Sequence, residues 1–340
     1  MKRIAIIWKF GVLILIASVC FSCSPDASQE INQHTLASLG SEFRISYEND
    51  AEAYRKRILS DSTDSEALIG LAETQIILHI FGFSPRDETL PEADKAFQRA
   101  RLIDPSASRV LCLEGKLSLL DWKWKEAERA FHRAIRHDPE NLDARHWYSL
   151  YLAAMGSMDK ALMQSDTILS MDPERNYDIG RGSLLYFARR NMELKDLMME
   201  VVSRDTAVAW GYDWLGMAYI ELKEFENSVQ TYFRAFELSD GTVEVGGGLG
   251  HALGLAGDYR PAKHMADFYA QKAEENYLPP VQRSFIHIGI GEYDEALRLL
   301  RQAYHEKSWF LVFMQSEPWY DPLRGDERFE SIQSDMKFPG

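Results

Sequence analysis

The chain has 340 residues, 46% hydrophobic and 26% charged, with a formal net charge of −14. That apolar content supports a substantial core and excludes a disordered or collagen-like chain. The acidic balance argues against nucleic acid as a partner and against attachment to a membrane through a basic face.

The first residues are a candidate leader. Met1-Lys2-Arg3 is basic, Ile4–Phe10 is apolar apart from Lys9, and GVLILIASV over 11–19 continues the apolar run until SPDASQE begins at Ser24. This order reads as an export signal over residues 1–22. A transmembrane anchor is the alternative, although the apolar run after Lys9 is shorter than the roughly 20 residues a span requires. The stretch ends in ASVCFSCSPD, with cysteines at 20 and 23. It resembles the processing box of bacterial lipoproteins, in which a small residue precedes the cysteine that becomes the lipidated first residue. The resemblance implies lipidation at Cys23, which follows Ser22, in preference to Cys20, which follows Val19; Phe21 and Cys20 depart from the usual box. It also implies a protein held by its N-terminal lipid at a bacterial envelope membrane, facing the periplasm or the cell surface. Residues 23–35 then serve as a polar tether. Loss of Lys2, Arg3 and Lys9 would take the net charge to about −17. Cys112 would be the one remaining thiol besides Cys23, so no internal disulfide is expected.

Beyond the tether a period emerges. Pro105, Pro139 and Pro173 are evenly spaced, and Ala93, Ala127 and Ala161 keep the same interval, as do Ala100 with Ala134, Gly216 with Gly250 and Ala262 with Ala296. The interval is about 34 residues, which marks a repeat architecture. In chain order, a first unit begins near Leu36, with a helix over 42–59 and a break at 60–65. The second covers 66–105 with an insertion, GFSPRDETLP, at 82–91. Units follow at 108–141, 142–173, 174–207 (degenerate and one residue short), 208–240, 241–275 and 276–307, about eight helix pairs in all, before a closing segment at 308–340. Small residues such as Gly115, Ala127, Ala134 and Gly216 let paired helices approach, larger ones such as Phe131, Leu215 and Tyr232 fill the space between units, and Asp-Pro ends one helix and starts the turn to the next.

WLGMAY at 214–219, with the alanines, the aromatic and the proline that follow at set offsets, resembles the tetratricopeptide repeat. The resemblance implies an all-α, right-handed superhelical solenoid of helix hairpins with a single extended core. GEYDEALRLLRQAYHEKSWFLVFMQSEPWYDPLRGDERFESIQSDMKFP, from Gly291, and RHWYSLYLAAMGSMDKAL at 145–162 are similar to a bacterial group of such proteins in which the array is joined to a winged-helix domain, a kinase or a cyclase. Here a leader stands in place of that effector, so only fold and partner binding carry over. SWFLVF at 308–313, Trp319, Tyr320, Leu323 and Phe329 are expected to cap the apolar end of the stack, pinned by Arg324, Asp326 and Arg328.

The same resemblance implies that the first helix of each pair lines a concave groove. Its face carries Arg109, Cys112 and Lys116, then Asp143, His146 and Leu150, then Trp210, Asp213, Met217 and Glu221, then Glu244 and His251. Such a groove, basic early and acidic with apolar anchors later, suits an extended peptide or a helix of another protein. Two other readings stay open: a glycan or small molecule stacked on Trp147 and Trp210, and an enzyme whose site is assembled from distant units. No chemistry announces itself. VEVGGGLGHALGLAGDY at 243–259 lacks the Gly-Lys-Ser/Thr of a phosphate loop, and Gly246–Gly248 are expected to loosen the first turn of a helix. No HExxH occurs, the nine histidines are scattered, and no metal or cofactor is expected. Cys112 reads as a buried small hydrophobe, and Trp122 and Trp124 as packing between units.

Overall fold

The computed structural model describes Thr35, Ser38 and residues 40–339. The expected signal, Cys20, Cys23, Leu36 and nearly all of the tether lie outside the described residues. Those residues form helices α1 (Ser41–Ser60), α2 (Ser65–Ile80), α3 (Arg86–Ile103), α4 (Ser108–Leu120), α5 (Trp124–His137), α6 (Leu142–Ala154), α7 (Met158–Met171) and α8 (Asp178–Phe187). There follow α9 (Asn191–Arg204), α10 (Ala209–Glu221), α11 (Phe225–Leu238), α12 (Val243–Ala256), α13 (Tyr259–Lys272), α14 (Pro280–Gly289) and α15 (Tyr293–Glu306), two 3-10 turns (Trp309–Phe313 and Pro318–Leu323), and α16 (Glu327–Asp335). No strand occurs among them, and none of these helices is long and apolar enough to cross a membrane.

Two devices recur along the array of hairpins. At the end of the second helix an aspartate turns extended: Asp61, Asp104, Asp138 and Asp205 share φ between −143° and −136°. Each accepts a hydrogen bond from the backbone N–H two residues on, at Thr63, Ser106, Glu140 and Ala207. The side chain thus replaces the helical acceptor the chain has just lost, with proline next in the chain after Asp104 and Asp138 and serine or threonine after Asp61 and Asp205. Asp64 and Asn141 then cap the following helices by accepting from Ala67 and Ala144 N–H. Within the hairpins the turn residue takes positive φ: Trp122, Gly156, Arg189, Lys223, Gly257 and Gly291 fall in register. Three of them are not glycine, so the left-handed turn is imposed by the packing of the hairpin and not by local preference.

The periodic alanines Ala93, Ala127, Ala161, Ala262 and Ala296 are fully buried, as are Phe131 and Tyr232. The second unit departs from expectation, because α3 begins at Arg86 and takes in most of the predicted insertion, Pro91 included. The remaining insertion residues, 82–85, form with Phe81 a short connection that has a structural task. Phe81 stacks on Trp210 at 5.1 Å, Gly40 N–H donates to the Asp240 carbonyl at 2.7 Å, and Gly82 abuts Pro279. The superhelix therefore returns on itself, its early units touching its late ones.

The glycine-rich helix also differs from expectation. α12 runs unbroken from Val243 to Ala256, and its glycines are there for contact. A Cβ on Gly247 would lie 2.5 Å from the Gln282 carbonyl oxygen, one on Gly250 2.7 Å from Ile286, and one on Gly254 2.5 Å from the Gly289 backbone. Gly289 in turn meets the His251 backbone. At Gly247, Gly254 and Gly289 α12 and α14 pack backbone against backbone, and at Gly250 the Ile286 side chain fills the space.

Candidate functional site: the inner face of the array

The first helices of the pairs do turn toward a common inner face, but that face is not an open trough. The C-terminal segment expected to cap one end first runs across it. Its first 3-10 turn packs on α2, α4 and α6, and its second on α14. Trp309 meets Trp147 with ring centroids 5.4 Å apart, Phe313 stacks on Phe187 at 4.5 Å, and Trp319 stacks on His251 at 4.3 Å and meets Phe285 edge-on at 4.8 Å. Ser316 Oγ donates to the Ala153 carbonyl at 2.7 Å, Tyr186 Oη donates to Glu317, and Arg189 pairs with Asp321 at 2.7 Å. Farther on, Trp124 Nε1 donates to the Met336 carbonyl at 3.1 Å and its ring stacks on Phe338. Trp122 packs on Tyr304. Trp309, Leu311, Val312, Phe313, Met314, Trp319, Tyr320 and Leu323 are all buried. At roughly 1.5–3 kcal/mol per large apolar side chain their burial contributes on the order of 10–20 kcal/mol, comparable with the net stability of a whole domain. The segment is core, not a detachable strap.

Only the last part of the segment sits at the end of the stack, α16 on α15 with Arg328 paired to Asp294 at 2.8 Å; the earlier part lines the inside, because a solenoid this tightly curved has two apolar surfaces to cover, an end and an inside. The run SWFLVFMQSEPWY is too apolar and too long for an end alone. Its length was the legible signal for Phe187, Tyr186, Phe313 and Glu317, which the sequence reading left out of the site.

Two polar clusters flank the segment. The earlier one joins three units. Lys116, 5% exposed, places Nζ 3.2 Å from Glu73 and 2.7 Å from Asp143, with the Trp147 ring 5.2 Å away. Arg109 pairs with Glu66 at 2.5 Å and reaches Glu73 at 3.4 Å. Cys112 Sγ–H donates to Asp143 at 3.4 Å. Burial alone would lower the Lys116 pKa, but the two carboxylates outweigh it and hold the ammonium above its ordinary value. Burial pushes the Cys112 thiol well up, which favours the protonated thiol. His146 packs on Tyr177 at 5.5 Å in the space Gly180 leaves, and burial drives its pKa down to about 4. The basic part of the groove is thus neutralised from within by acids the sequence reading had not placed there, Glu66 and Glu73.

The later cluster is acidic and lacks such partners. Asp213 is 4% exposed, and burial raises its pKa to about 7, with the Tyr232 hydroxyl beside it offsetting part of the rise. Glu244 is pushed well up by burial and by Asp213. Glu221 is raised by burial. Glu317, brought in by the C-terminal segment, is raised to about 7 by burial despite its bonds from Tyr186 and the Trp319 N–H. His251 is held neutral, near pKa 4, by burial, with Nδ1 2.8 Å from the Phe285 carbonyl.

Of the expected groove residues, Lys116, Asp213 and His251 are buried, while Arg109, Asp143, His146, Leu150, Trp210, Met217, Glu221 and Glu244 are half-buried. Both candidate stacking platforms have their partners within the chain, Trp147 on Trp309 and Trp210 on Phe81. Among the described residues, no group of three or more His, Cys, Asp or Glu side chains is arranged to hold a metal ion.

No known protein-family model matches the sequence. Among solved structures, a chain of the APC/C hetero-tetramer Cut9–Hcn1 is similar over 86% of this chain and 52% of its own, at 13% identity and a TM-score of 0.57. This chain therefore spans about half the length of that one. A monomeric mutant of IFIT1, solved with Gppp-AAAA, is similar over 85% of this chain and 67% of its own, at 13% identity and a TM-score of 0.59. Both are tetratricopeptide-repeat structures, and at this identity the likeness concerns the fold. The chain folds as an all-α superhelical solenoid of tetratricopeptide-like hairpins, wound around its own C-terminal segment.

Proposed function

We propose that this chain is a non-catalytic scaffold that binds a protein or an extended peptide on its inner face, held by a lipid on Cys23 at a bacterial envelope membrane and facing the periplasm or the cell surface. The observation that supports it best is that the inner face already holds an extended, aromatic-rich segment in cis. Trp147, Phe187 and His251, each from a different unit, receive Trp309, Phe313 and Trp319 in turn. Beside that segment Arg109, Asp143, His146 and Glu244 keep part of their surface accessible. Catalysis finds no support in the Cys112–Lys116–Asp143 network, whose thiol is held protonated and whose ammonium is doubly paired. The glycan reading loses both its platforms. IFIT1 was solved with Gppp-AAAA, so the fold alone does not exclude nucleic acid; the inner acids Asp213, Glu221 and Glu244 are what weigh against a phosphate backbone in this chain.

The test is crosslinking in native membranes followed by mass spectrometry, with Arg109→Gln/His146→Gln and Cys23→Ser variants in parallel. Loss of adducts from the first variant and release of the second into the soluble fraction are expected. Unchanged adducts would refute the inner-face reading, and unchanged membrane retention would refute the lipid anchor.

A further inference from the structure

Two carboxylates on successive inner-face helices, Asp213 on α10 and Glu244 on α12, lie near enough for the Asp213 charge to act on Glu244, and neither has a basic partner among the described residues. No ion pair is formed by either, and no Lys or Arg is among the charged groups that act on them. Several inner carboxylates are satisfied: Glu73 and Asp143 by Lys116, Glu317 by Tyr186 and the Trp319 N–H, Asp321 by Arg189 and Arg324; Glu221 forms no ion pair but feels the charge of Arg189. Asp213 and Glu244 differ in having no cation at all within reach, so burial pushes both toward the neutral acid, and ionising either without a cation is costly.

A second observation, independent of the charges, points the same way. Tyr232 of α11 is fully buried, and beyond its approach to Asp213 its hydroxyl meets no hydrogen-bond partner. Its ring passes between α10 and α12 because Gly216 and Gly248 make room: a Cβ on Gly216 would lie 2.6 Å from the ring, and one on Gly248 2.7 Å from the hydroxyl oxygen. The hydroxyl emerges beside Asp213 and Glu244, where the Glu244 Oε2 atom is likewise buried and unpartnered. Three helices thus converge two carboxylates and a phenol, with acceptor capacity to spare on both Glu244 and Tyr232. A guanidinium or ammonium group carries N–H donors for that set and the charge to match it.

We propose that the Asp213–Glu244–Tyr232 cluster is a recognition point for one basic side chain, arginine or lysine, of an extended peptide bound on the inner face. This rests on the reading of the inner face as a peptide-binding surface and names the chemistry it selects. The groups that set the local field are Glu221 on α10, Glu317 on the C-terminal segment and Tyr186 on α8, with Arg189 paired to Asp321 near the edge. All of those nearest the pair are acids or phenols, so the field favours a cation there. With Asp213 titrating at about 7, binding of a cation must displace a proton near neutrality, and affinity must rise with pH.

The experiment uses the full chain in detergent and four probes in calorimetry: blocked pentapeptides Gly-Gly-X-Gly-Gly in which X is arginine, lysine or the neutral arginine isostere citrulline, and calcium chloride. The expected result is binding of the arginine or lysine peptide with at least about tenfold higher affinity near pH 8 than near pH 6. Proton release should be seen as a binding heat that depends on the buffer's ionisation enthalpy. The citrulline peptide should not bind, and Asp213→Asn/Glu244→Gln should lose the interaction. The proton-release arm needs no variant, so it decides the matter even if the double variant does not fold. Equal binding of the citrulline peptide, binding of calcium in place of the basic peptides, no binding by the wild-type chain, or an affinity untouched by the double substitution would each overturn the proposal. If these arms fail while inner-face adducts still depend on Arg109 and His146, peptide binding survives and the cation site alone is refuted. If both fail, the inner-face reading falls with it.

Discussion

Replacing Asp213 by asparagine should stabilise the protein, and by an amount that depends on pH. Asp213 is 4% exposed with no cationic partner among the described residues, and burial carries its pKa from 3.8 to about 7. A carboxyl whose folded pKa lies above its unfolded one contributes stability that is fully present below the unfolded value and is lost as pH rises through the folded value. The displacement corresponds to about 4 kcal/mol withdrawn between about pH 4 and pH 7. Asparagine keeps the shape and cannot ionise. Relative to wild type, Asp213→Asn should therefore be near neutral at about pH 4 and more stable by about 4 kcal/mol at about pH 8. Comparing the two proteins at each pH cancels the other titrating groups, including the neutral buried histidines, which act in the opposite direction. Urea unfolding of both proteins across this range, followed by circular dichroism, measures the difference directly. A wild-type-to-variant difference that does not change with pH would refute the reasoning, because it would mean Asp213 is solvated or already paired with a cation.

Other perturbations follow from named contacts. Lys116→Met leaves Glu73 and Asp143 facing each other without their ammonium and should cost about 3–5 kcal/mol in urea unfolding; adding Asp143→Asn should recover part of that loss. Gly254→Ala places a methyl group 2.5 Å from the Gly289 backbone and should cost about 1–3 kcal/mol, read as a lower thermal midpoint. His79 is buried with both ring nitrogens unpartnered, and burial lowers its pKa to about 4. A histidine depressed in this way contributes stability that is present above 6.5 and lost as pH falls toward 4. His79→Leu should therefore gain about 3 kcal/mol over wild type as pH is lowered through that range, measured by the same unfolding series.

The fold was legible because a solenoid writes its period into residues whose size cannot vary. Ala93, Ala127 and Ala161 are buried where two helices cross, and Asp104, Asp138 and Asp205 each supply the same acceptor at the same turn. The left-handed turns at Trp122, Arg189 and Lys223 could not be read, since nothing in those residue types favours positive φ and only the completed hairpin imposes it. Which helix faces the interior was readable from the repeat register. How much of that interior stays open was not, because it depends on a curvature set by long-range contacts such as Phe81 on Trp210 and Gly40 on Asp240. The same contacts decide where SWFLVFMQSEPWY goes. Gly246–Gly248 illustrate the ambiguity of glycine: the same residues read as flexibility in a sequence and as close helix contact in the structure.

The most direct test of the account is site-specific photocrosslinking in native membranes, with the photoreactive amino acid placed at Met217 on the inner face or at Met199 on the exposed face of α9. The account predicts discrete protein adducts from Met217 and none from Met199. Adducts from Met199 with none from Met217 would contradict it, placing the binding surface on the outside of the superhelix.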